Sequence, residues 1–577
     1  MIDCNKNNLN SDPSPYLQQH KNNPVNWQVW SKEIFKIAKE KKMPILLSVG
    51  YASCHWCHVM AHESFEDQET ANLMNNYFIN IKVDREERPD IDFVYQNSYQ
   101  IFNQAGGGWP LTMFLDENGI PFTGGTYFPK EETNGMPSFK SILKKIYDIY
   151  SKQREKIIHQ KDLIIKNLEL KKTSVLSQDL KAILDLTLSN VDKKNGGFLG
   201  APKFPTFYVY DTFLYFFNIT KDEKYLNPVK TLINKISSKG IYDQVEGGIA
   251  RYTVDENWMI PHFEKMLYDN AQFVLLLSNY CKVNPDPYIK AKISQTINFI
   301  SENFIVKDKG LLGSAYDADS DGEEGKYYTF KFDEIKNIKN IEEYFEIKPE
   351  GNWEGKIILS ELKTPSNECL AELMRIRLAR KKPFFDNKVQ LDLNSLWVSA
   401  LISANEVIPN KDYLSLAENH IKNIKNFFSP EIFHCSDKEI VFLEDYAYLI
   451  NALIDLSDNT FNLKYKIEAK ELCVKVLNFF YIKDKNIFQK NEIRKNDLFL
   501  RPIDITDHTV PNGNSIMLRN LSRLGLLKEA KELAISLNGY LNIYKNFMIS
   551  SIKSIDLNKR LEEGKNCNEQ GCEINKK

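Results

Sequence analysis

The chain has 577 residues, 42% of them hydrophobic and 26% charged, with a formal net charge of −2. That length exceeds a single hydrophobic core and implies a small domain beside a large one. Charges of both signs are mixed, which leaves no electrostatic footprint for nucleic acid, and no apolar run approaches the ~20 residues of a membrane span. Nine cysteines, mostly scattered, indicate a reducing compartment rather than a disulfide scaffold. Met1-Ile2-Asp3-Cys4-Asn5 opens no signal peptide, so the expected location is cytoplasmic.

The first strong element is the apolar run Pro44-Ile45-Leu46-Leu47-Ser48-Val49-Gly50, followed by Cys54-His55-Trp56-Cys57 and a helical stretch. Two thiols three apart, where a strand meets a helix, have the geometry of a reversible disulfide. Free N–H groups and the helix dipole favour thiolate at the first of them. Cys54 is therefore expected to be the exposed, more acidic sulfur and Cys57 the buried resolving one. Two other chemistries use similar residues. Cys54, Cys57, His55, His58 and His62 are all metal-ligand types, but no second C-x-x-C completes a zinc set. Cys54-His55-Trp56-Cys57-His58 also matches the haem attachment pattern. No metal site and no cofactor is assigned.

Residues 77–84 read as a buried strand after a short helix. Gly106-Gly107-Gly108-Trp109-Pro110 then leads into a second apolar strand, Leu111-Thr112-Met113-Phe114-Leu115. Asp116-Glu117-Asn118-Gly119 is a hairpin turn with glycine where positive φ is needed, and Pro121 suits an edge strand. This order follows the thioredoxin plan, in which a cis proline sits beside the thiols, and it makes Pro110 the cis candidate. A charged helical stretch over 140–172 closes the first unit.

From about Leu176 amphipathic helical segments dominate, at 180–191, 228–238, 263–280, 292–304, 396–407, 445–456 and 464–480, and strands nearly vanish. A turn theme recurs at Gly196-Gly197, Gly247-Gly248, Gly310, Ile432-Phe433 and Ile487-Phe488. Its spacing is a helical hairpin repeating about every 60 residues, the signature of a toroid or solenoid. The remaining length fits six hairpins, so the expected fold is multidomain: an α/β thioredoxin-like N-terminal domain, residues 1–172, followed by an all-α (α/α)6 toroid, residues 173–577.

The loops at these turns carry the unusual chemistry: Lys203; Arg251, Tyr252 and Asp255; His262, Glu264 and Asp269; Asp317 and Asp319; Asp386; and Glu444 with Asp445. Carboxylates near aromatic faces suit sugar rings, and a pair of them suits glycoside chemistry. Histidines 262, 434 and 508 offer a second option, acid–base isomerisation near neutral pH. Carboxylates at helix N-termini, such as Asp445, also cap helices routinely.

The segments Ser14-Pro15-Tyr16-Leu17-Gln18-Gln19-His20, Asn23-Pro24-Val25-Asn26-Trp27, Cys54-His55-Trp56-Cys57-His58-Val59-Met60, Lys82-Val83-Asp84-Arg85-Glu86-Glu87-Arg88-Pro89-Asp90 and Gly107-Gly108-Trp109-Pro110 together resemble the spermatogenesis-associated thioredoxin-domain proteins. The resemblance implies a thioredoxin-like domain joined to a toroid of the six-hairpin glycosidase type. It implies catalytic roles for Cys54, Cys57 and Pro110 and a ligand-binding role for the loop residues named above, although Asn387 and Leu393 depart from the family's usual Asp and Trp. Thioredoxins carry a buried acid six residues before the first cysteine; here that residue is Ser48, leaving His55, His58 or Glu63 to manage the proton. The expected function is thiol–disulfide redox activity coupled to a carbohydrate-binding-like toroid. The alternative is a glycosidase or sugar epimerase whose thioredoxin-like domain is structural or regulatory. The expected partner is a protein thiol or disulfide, or a sugar-like small molecule. Cys567 and Cys572, near the C-terminus, could exchange with the Cys54–Cys57 pair or bind metal.

Overall fold

The computed structural model describes residues 2–133, 135–409, 412–435, 438–493, 497–564, 567–568 and 571–572. They form two compact units. The first comprises Met1–Lys171 with two later segments, Asp437–Ile440 and Gln489–Ile503; the second holds Lys172–Ser436, Val441–Phe488 and Asp504–Lys577.

The first unit is built on a five-stranded sheet of β1 (Trp27–Val29), β2 (Ile45–Gly50), β3 (Ile79–Asp84), β4 (Leu111–Leu115) and β5 (Pro121–Gly125) in the order β1-β3-β2-β4-β5. Strands β1, β3 and β2 run parallel, while β4 and β5 complete the sheet antiparallel. Every residue of β2 and β3 is buried, as expected for strands covered on both faces. The two-residue period of β2 divides it between two cores. Ile45, Leu47 and Val49 join Trp30, Ile34, Ile81 and Val94 on one face; Leu46 joins Tyr16, Trp27, Cys57 and Phe65 on the other. Around the sheet lie α1 (Pro15–Gln19), α2 (Lys32–Lys41), α3 (His55–Met60), α4 (Gln68–Tyr77), α5 (Pro89–Asn103), α6 (Phe139–Lys152) and α7 (Arg154–Leu168). Ser31, Asp67 and Ser138 cap α2, α4 and α6 by accepting backbone N–H bonds.

The later segments complete the first core. Leu498 is one of its buried residues, with Phe499 and Leu500 packed alongside. Asp497 accepts from Arg88 at 2.7 Å and from Trp30 Nε1 at 3.0 Å, and Asn491 donates to Asp90 at 2.7 Å. Lys438 pairs with Asp12 and Glu87 at 2.6 and 3.3 Å.

The second unit contains α8 (Leu180–Ser189), α9 (Phe207–Thr220), α10 (Glu223–Ser238), α11 (Leu267–Val283), α12 (Pro287–Asn303), α13 (Phe332–Ile335), α14 (Ile341–Tyr344), α15 (Asn367–Leu378), α16 (Leu391–Val407), α17 (Tyr413–Phe427), α18 (Leu443–Thr460), α19 (Leu463–Phe479), α20 (Gly513–Arg523), α21 (Leu527–Tyr544) and α22 (Ile549–Glu562). Six of these, α9, α11, α16, α18, α20 and α22, each touch the next, and α22 returns to α9, so the inner ring is closed. Outside it, α10, α12, α17, α19 and α21 back the ring helix that precedes each of them, and α8 backs α22. Helices α11 and α16 are buried around nearly their whole circumference, whereas α10 and α17 bury one face; that is the difference between inner and outer positions. Helices α13–α15 belong to an excursion between α12 and α16 with its own small core of Phe330, Ile335, Ile341, Phe345 and Leu373.

Strands do not vanish from this unit. Helix α11 begins at Leu267 rather than at 263, because Pro261–His262 pairs with Tyr252–Thr253, and Lys265–Met266 joins Ala315–Tyr316 and Phe385–Asp386 in a three-stranded antiparallel sheet. Loops of separate hairpins satisfy one another's backbone groups this way. No helix among the described residues is long and apolar enough to cross a membrane. Cys567 and Cys572 face each other in a two-residue strand pair; their side chains lie outside the described residues.

Candidate functional site

Strand β2 ends at Gly50, and Cys54 is the N-cap of α3, its sulfur accepting the Cys57 N–H at 3.2 Å. A disulfide joins Cys54 to Cys57 across a Cα separation of 5.2 Å. The expected contrast in exposure is absent: Cys54 is 3% and Cys57 1% accessible. The surrounding core covers both, and the exposed side chain of the motif is Trp56, at 49%. The Trp56 ring meets the edge of Tyr127 at 5.3 Å, and Tyr127 donates its hydroxyl to Glu63. Burial, followed by that carboxylate, pushes the Tyr127 phenol up to about 12.

The Trp109–Pro110 bond is cis, and Trp109 packs against the core cluster that contains both cysteines. Its indole N–H donates to Asp92 at 2.8 Å, the Arg85 guanidinium lies 4.0 Å over its ring, and Arg85 pairs with Asp92 at 3.4 Å. Gln96 donates to the Gly108 carbonyl at 3.0 Å, and a side chain at Gly107 would strike Gln96. The glycine-rich loop and the Val83-Asp84-Arg85 stretch are thus parts of one support for Pro110.

Ser48 is fully buried and receives a hydrogen bond from Lys82 Nζ at 3.1 Å. The two residues face each other across β2 and β3. Lys82 Nζ lies 5.1, 4.9 and 4.4 Å from the ring centroids of Tyr16, Trp27 and Phe65. Burial pushes this amine well below its ordinary range. A serine that receives a lysine hydrogen bond therefore holds the strand position where thioredoxins have an acid.

In the second unit, the loops before the inner helices hold two histidine–carboxylate groups. In the first, Glu264 is fully buried and takes Arg251 at 3.3 Å, with His262 Nε2 at 3.9 Å. His262 Nδ1 pairs with Glu324. Tyr252 lies 5.0 Å from the His262 ring and stacks at 4.7 Å on Phe204, which is 41% exposed. In the second, His434 Nδ1 lies 2.8 Å from Asp445 Oδ1 and 3.9 Å from Asp392. Asp445 also accepts the Phe442 N–H at 2.8 Å, so it caps α18 and orients His434 together. Asp392, His434 and Asp445 each offer a ligand atom within 4.8 Å of the others, a set that could hold a metal ion. Burial first, with Asp445 adding, pushes Asp392 up to about 7 despite His434.

The remaining residues singled out in the sequence have other partners. Lys203 is buried against Asp192 at 2.7 Å and the Glu256 carbonyl at 3.0 Å. Asp255 accepts the backbone N–H groups of Asn257, Met259 and Ile260 and so shapes its turn. Asp386 pairs with Lys388, and Asp317 accepts the Asp319 N–H at 3.2 Å. Asp269 and Glu444 lie in the first turns of α11 and α18. His508 is exposed, 3.4 Å from Asp504. Sequence reasoning passed over Asp392 and Glu324, and it quoted Tyr16 and Lys82 as motif members without giving them a role. Asp392 sits beside the departure at Leu393, which was its available signal; Glu324 has none.

The family model described as Thioredox_DsbH, a protein of unknown function (DUF255), matches residues 6–169. A Caenorhabditis elegans protein described as uncharacterized is 31% identical over 92% of this chain and 82% of its own length. Human spermatogenesis-associated protein 20 is 30% identical over 90% of this chain and 76% of its own. Among solved structures, cellobiose 2-epimerase from Bacillus thermoamylovorans B4167 is similar with a TM-score of 0.41 and 14% identity, covering 63% of this chain and 87% of that one. A D-mannose isomerase is similar with a TM-score of 0.42 and 11% identity, covering 66% and 97%.

Proposed function

The chain belongs to the family of spermatogenesis-associated protein 20, and from that premise we propose that it exchanges thiols and disulfides with a partner protein at Cys54 and Cys57. The observation that carries this reading is the Cys54–Cys57 pair at the N-terminus of α3, with Cys54 already accepting a helix N–H. A sulfur in that position is stabilised as thiolate by the same N–H and by the helix end. Exposed Trp56 and the loop ending in cis-Pro110 supply apolar and backbone surface for a partner chain. Cys4, Cys281, Cys369, Cys435 and Cys473 form no disulfide, which fits a cytoplasmic location. The test equilibrates the full-length protein in graded ratios of reduced to oxidised glutathione and counts alkylated cysteines by mass spectrometry. One pair should convert over a narrow potential range and vanish in Cys54→Ser; a pair that stays fixed across that range rejects the reading.

A second reading rests on His262, Glu264, Arg251 and the Phe204–Tyr252 stack, a buried acid–base group beside an exposed aromatic platform. It is the arrangement expected of a site for a neutral sugar. A screen of mono- and disaccharides by thermal shift, repeated with Tyr252→Ala, tests it: a shift in the parent that the variant loses supports a toroid ligand, and no shift with any sugar rejects it.

A further inference from the structure

The redox reading leaves a specific gap, because Cys57 must shed a proton inside a closed core and the strand position that holds an acid in thioredoxins holds Ser48. Three observations meet at Gly50. A methyl group added there would collide with the Tyr16 hydroxyl and with Cys57 Sγ, the latter at 2.8 Å, so phenol and sulfur border the same methyl-sized space. The Tyr16 residue is fully buried, and its oxygen has no hydrogen-bond partner among the described residues. A buried hydroxyl left without a partner is costly, so the fold holds in reserve a donor that borders the same space as this sulfur.

The geometry points to Tyr16 as the hydrogen-bond donor that stabilises the Cys57 thiolate during thiol–disulfide exchange, in place of a buried carboxylate. This rests on the exchange reading above and adds a residue to it. In the reduced protein the Cys54 thiolate attacks a partner disulfide. The partner S–S bond breaks, one partner sulfur leaves as a thiolate and takes a proton from water, and the other is bonded to Cys54. Cys57 then gives up its proton and attacks Cys54 Sγ. The Cys54–Cys57 bond forms, the bond from Cys54 to the partner breaks, and the departing sulfur takes that electron pair and the proton. Two electrons pass from the protein dithiol to the partner disulfide. Tyr16 keeps its own proton throughout and bonds to the charge that forms on Cys57.

The charged and titratable groups around this space agree with that role. Lys82 on β3 lies 5.1 Å from the centre of the Tyr16 ring, and the ring of His20, the residue just after α1, meets Tyr16 edge-on at 5.0 Å. Asp84 on β3 acts on Tyr16, and His58 on α3 acts on His20. Burial, with Asp84 adding, pushes the Tyr16 phenol well above its usual value, which keeps it a donor. Burial, with Lys82 adding, pushes His20 well below its own, which leaves it neutral. Asp84 is already an acceptor for Ser14 Oγ and the Glu86 N–H at 3.3 and 2.9 Å. The Ser14-Pro15-Tyr16 motif thereby gains a purpose: Ser14 caps α1 and anchors to Asp84, which sets Tyr16 against Cys57.

The test titrates Cys57 in full-length Cys54→Ser protein by thiolate absorbance, with Cys54→Ser/Cys57→Ser as the blank, and repeats it with Tyr16→Phe added. A lost hydrogen bond to a charged sulfur should move the Cys57 titration up by about one to two pH units. In protein with both cysteines, Tyr16→Phe should slow resolution of the glutathione mixed disulfide about tenfold or more while its formation at Cys54 is unchanged. An unmoved Cys57 titration overturns the inference. If Tyr16→Phe does not fold, 3-fluorotyrosine installed at Tyr16 keeps the shape and makes the phenol a stronger donor. It should lower the Cys57 titration, and no change, or a rise, overturns the inference equally. Failure of the exchange reading would look different, as a parent protein inert to glutathione whatever the titration of Cys57.

Discussion

Lys82 in the thioredoxin-like unit and Lys265 in the toroid are both enclosed lysines set against aromatic rings, yet they are held in opposite ways. Lys265 Nζ lies 4.1 and 4.9 Å from the rings of Phe299 and Tyr328, as Lys82 lies near three rings. It also reaches Asp243 at 2.7 Å and the Gly247 carbonyl at 2.9 Å, and Arg377 reaches the same Asp243 at 2.7 Å. Burial alone would raise Asp243; Arg377 and Lys265 more than offset it and hold the carboxyl well below its usual range. Among the described residues, Lys82 has one serine hydroxyl and no carboxylate in contact. The toroid neutralises its buried cations and uses them as ties between loops. The smaller unit keeps a buried amine against Ser48 and three aromatic rings, an arrangement that does not favour stability.

The largest test of this contrast is Asp243→Asn, which removes the carboxylate shared by two buried cations and leaves Arg377 with Glu246 at 3.4 Å. It should cost the toroid about 3–5 kcal/mol, read as a lower denaturant midpoint for toroid unfolding. A tolerated Asp243→Asn would erase the distinction. Acid should act in the same direction. The depressed folded value of Asp243 gives stability that is whole above the unfolded carboxylate range and declines as pH falls below it. Reduction of Cys54–Cys57, which closes a short loop, should come next at about 2 kcal/mol. Only the thioredoxin-like transition should move.

Lys82→Met comes third and has the opposite sign at neutral pH. Because the amine is lowered in the folded state, the unfolded chain binds the extra proton. Stability of this unit therefore rises with pH between the lowered value and the ordinary lysine range, by up to about 1.4 kcal/mol per pH unit. Lys82→Met should flatten that slope in melting measurements across pH 7 to 10 and leave the protein as stable as the parent or more so at pH 7. A loss of stability would mean that the amine is charged and structurally needed. Ser48→Ala, which removes a single hydrogen bond, should cost about 1 kcal/mol; a larger loss would make Ser48 a partner equal to Asp243.

The thioredoxin-like order was legible because its signals are local: an apolar strand, a C-x-x-C at a helix start, and a glycine-rich approach to Pro110. The toroid was legible through its repeat, since Gly247 and Gly248 adopt φ of 94° and 81° at turns the sequence already marks. What escaped depends on distance along the chain. Ser48 finds Lys82 only because β2 and β3 lie side by side, and Asp497 finds Arg88 across 409 residues. Neither pairing leaves a periodic trace. In the loops, residue type alone does not show which partner a charge will find. Lys203 and Asp255 carry the charges of binding residues, yet their partners are Asp192 and backbone N–H groups. Asp392 went unnoticed because a carboxylate in the first turn of α16 reads as ordinary helix chemistry.

Closure of the inner ring sets a schedule for assembly. Its final seam joins α22 to α8 and α9, helices far apart in sequence. Until α22 arrives, α9 and α20 each present an open flank able to recruit the equivalent helix of another molecule. Seams of such high contact order form slowly, and an open arc is the species exposed to swapping and aggregation.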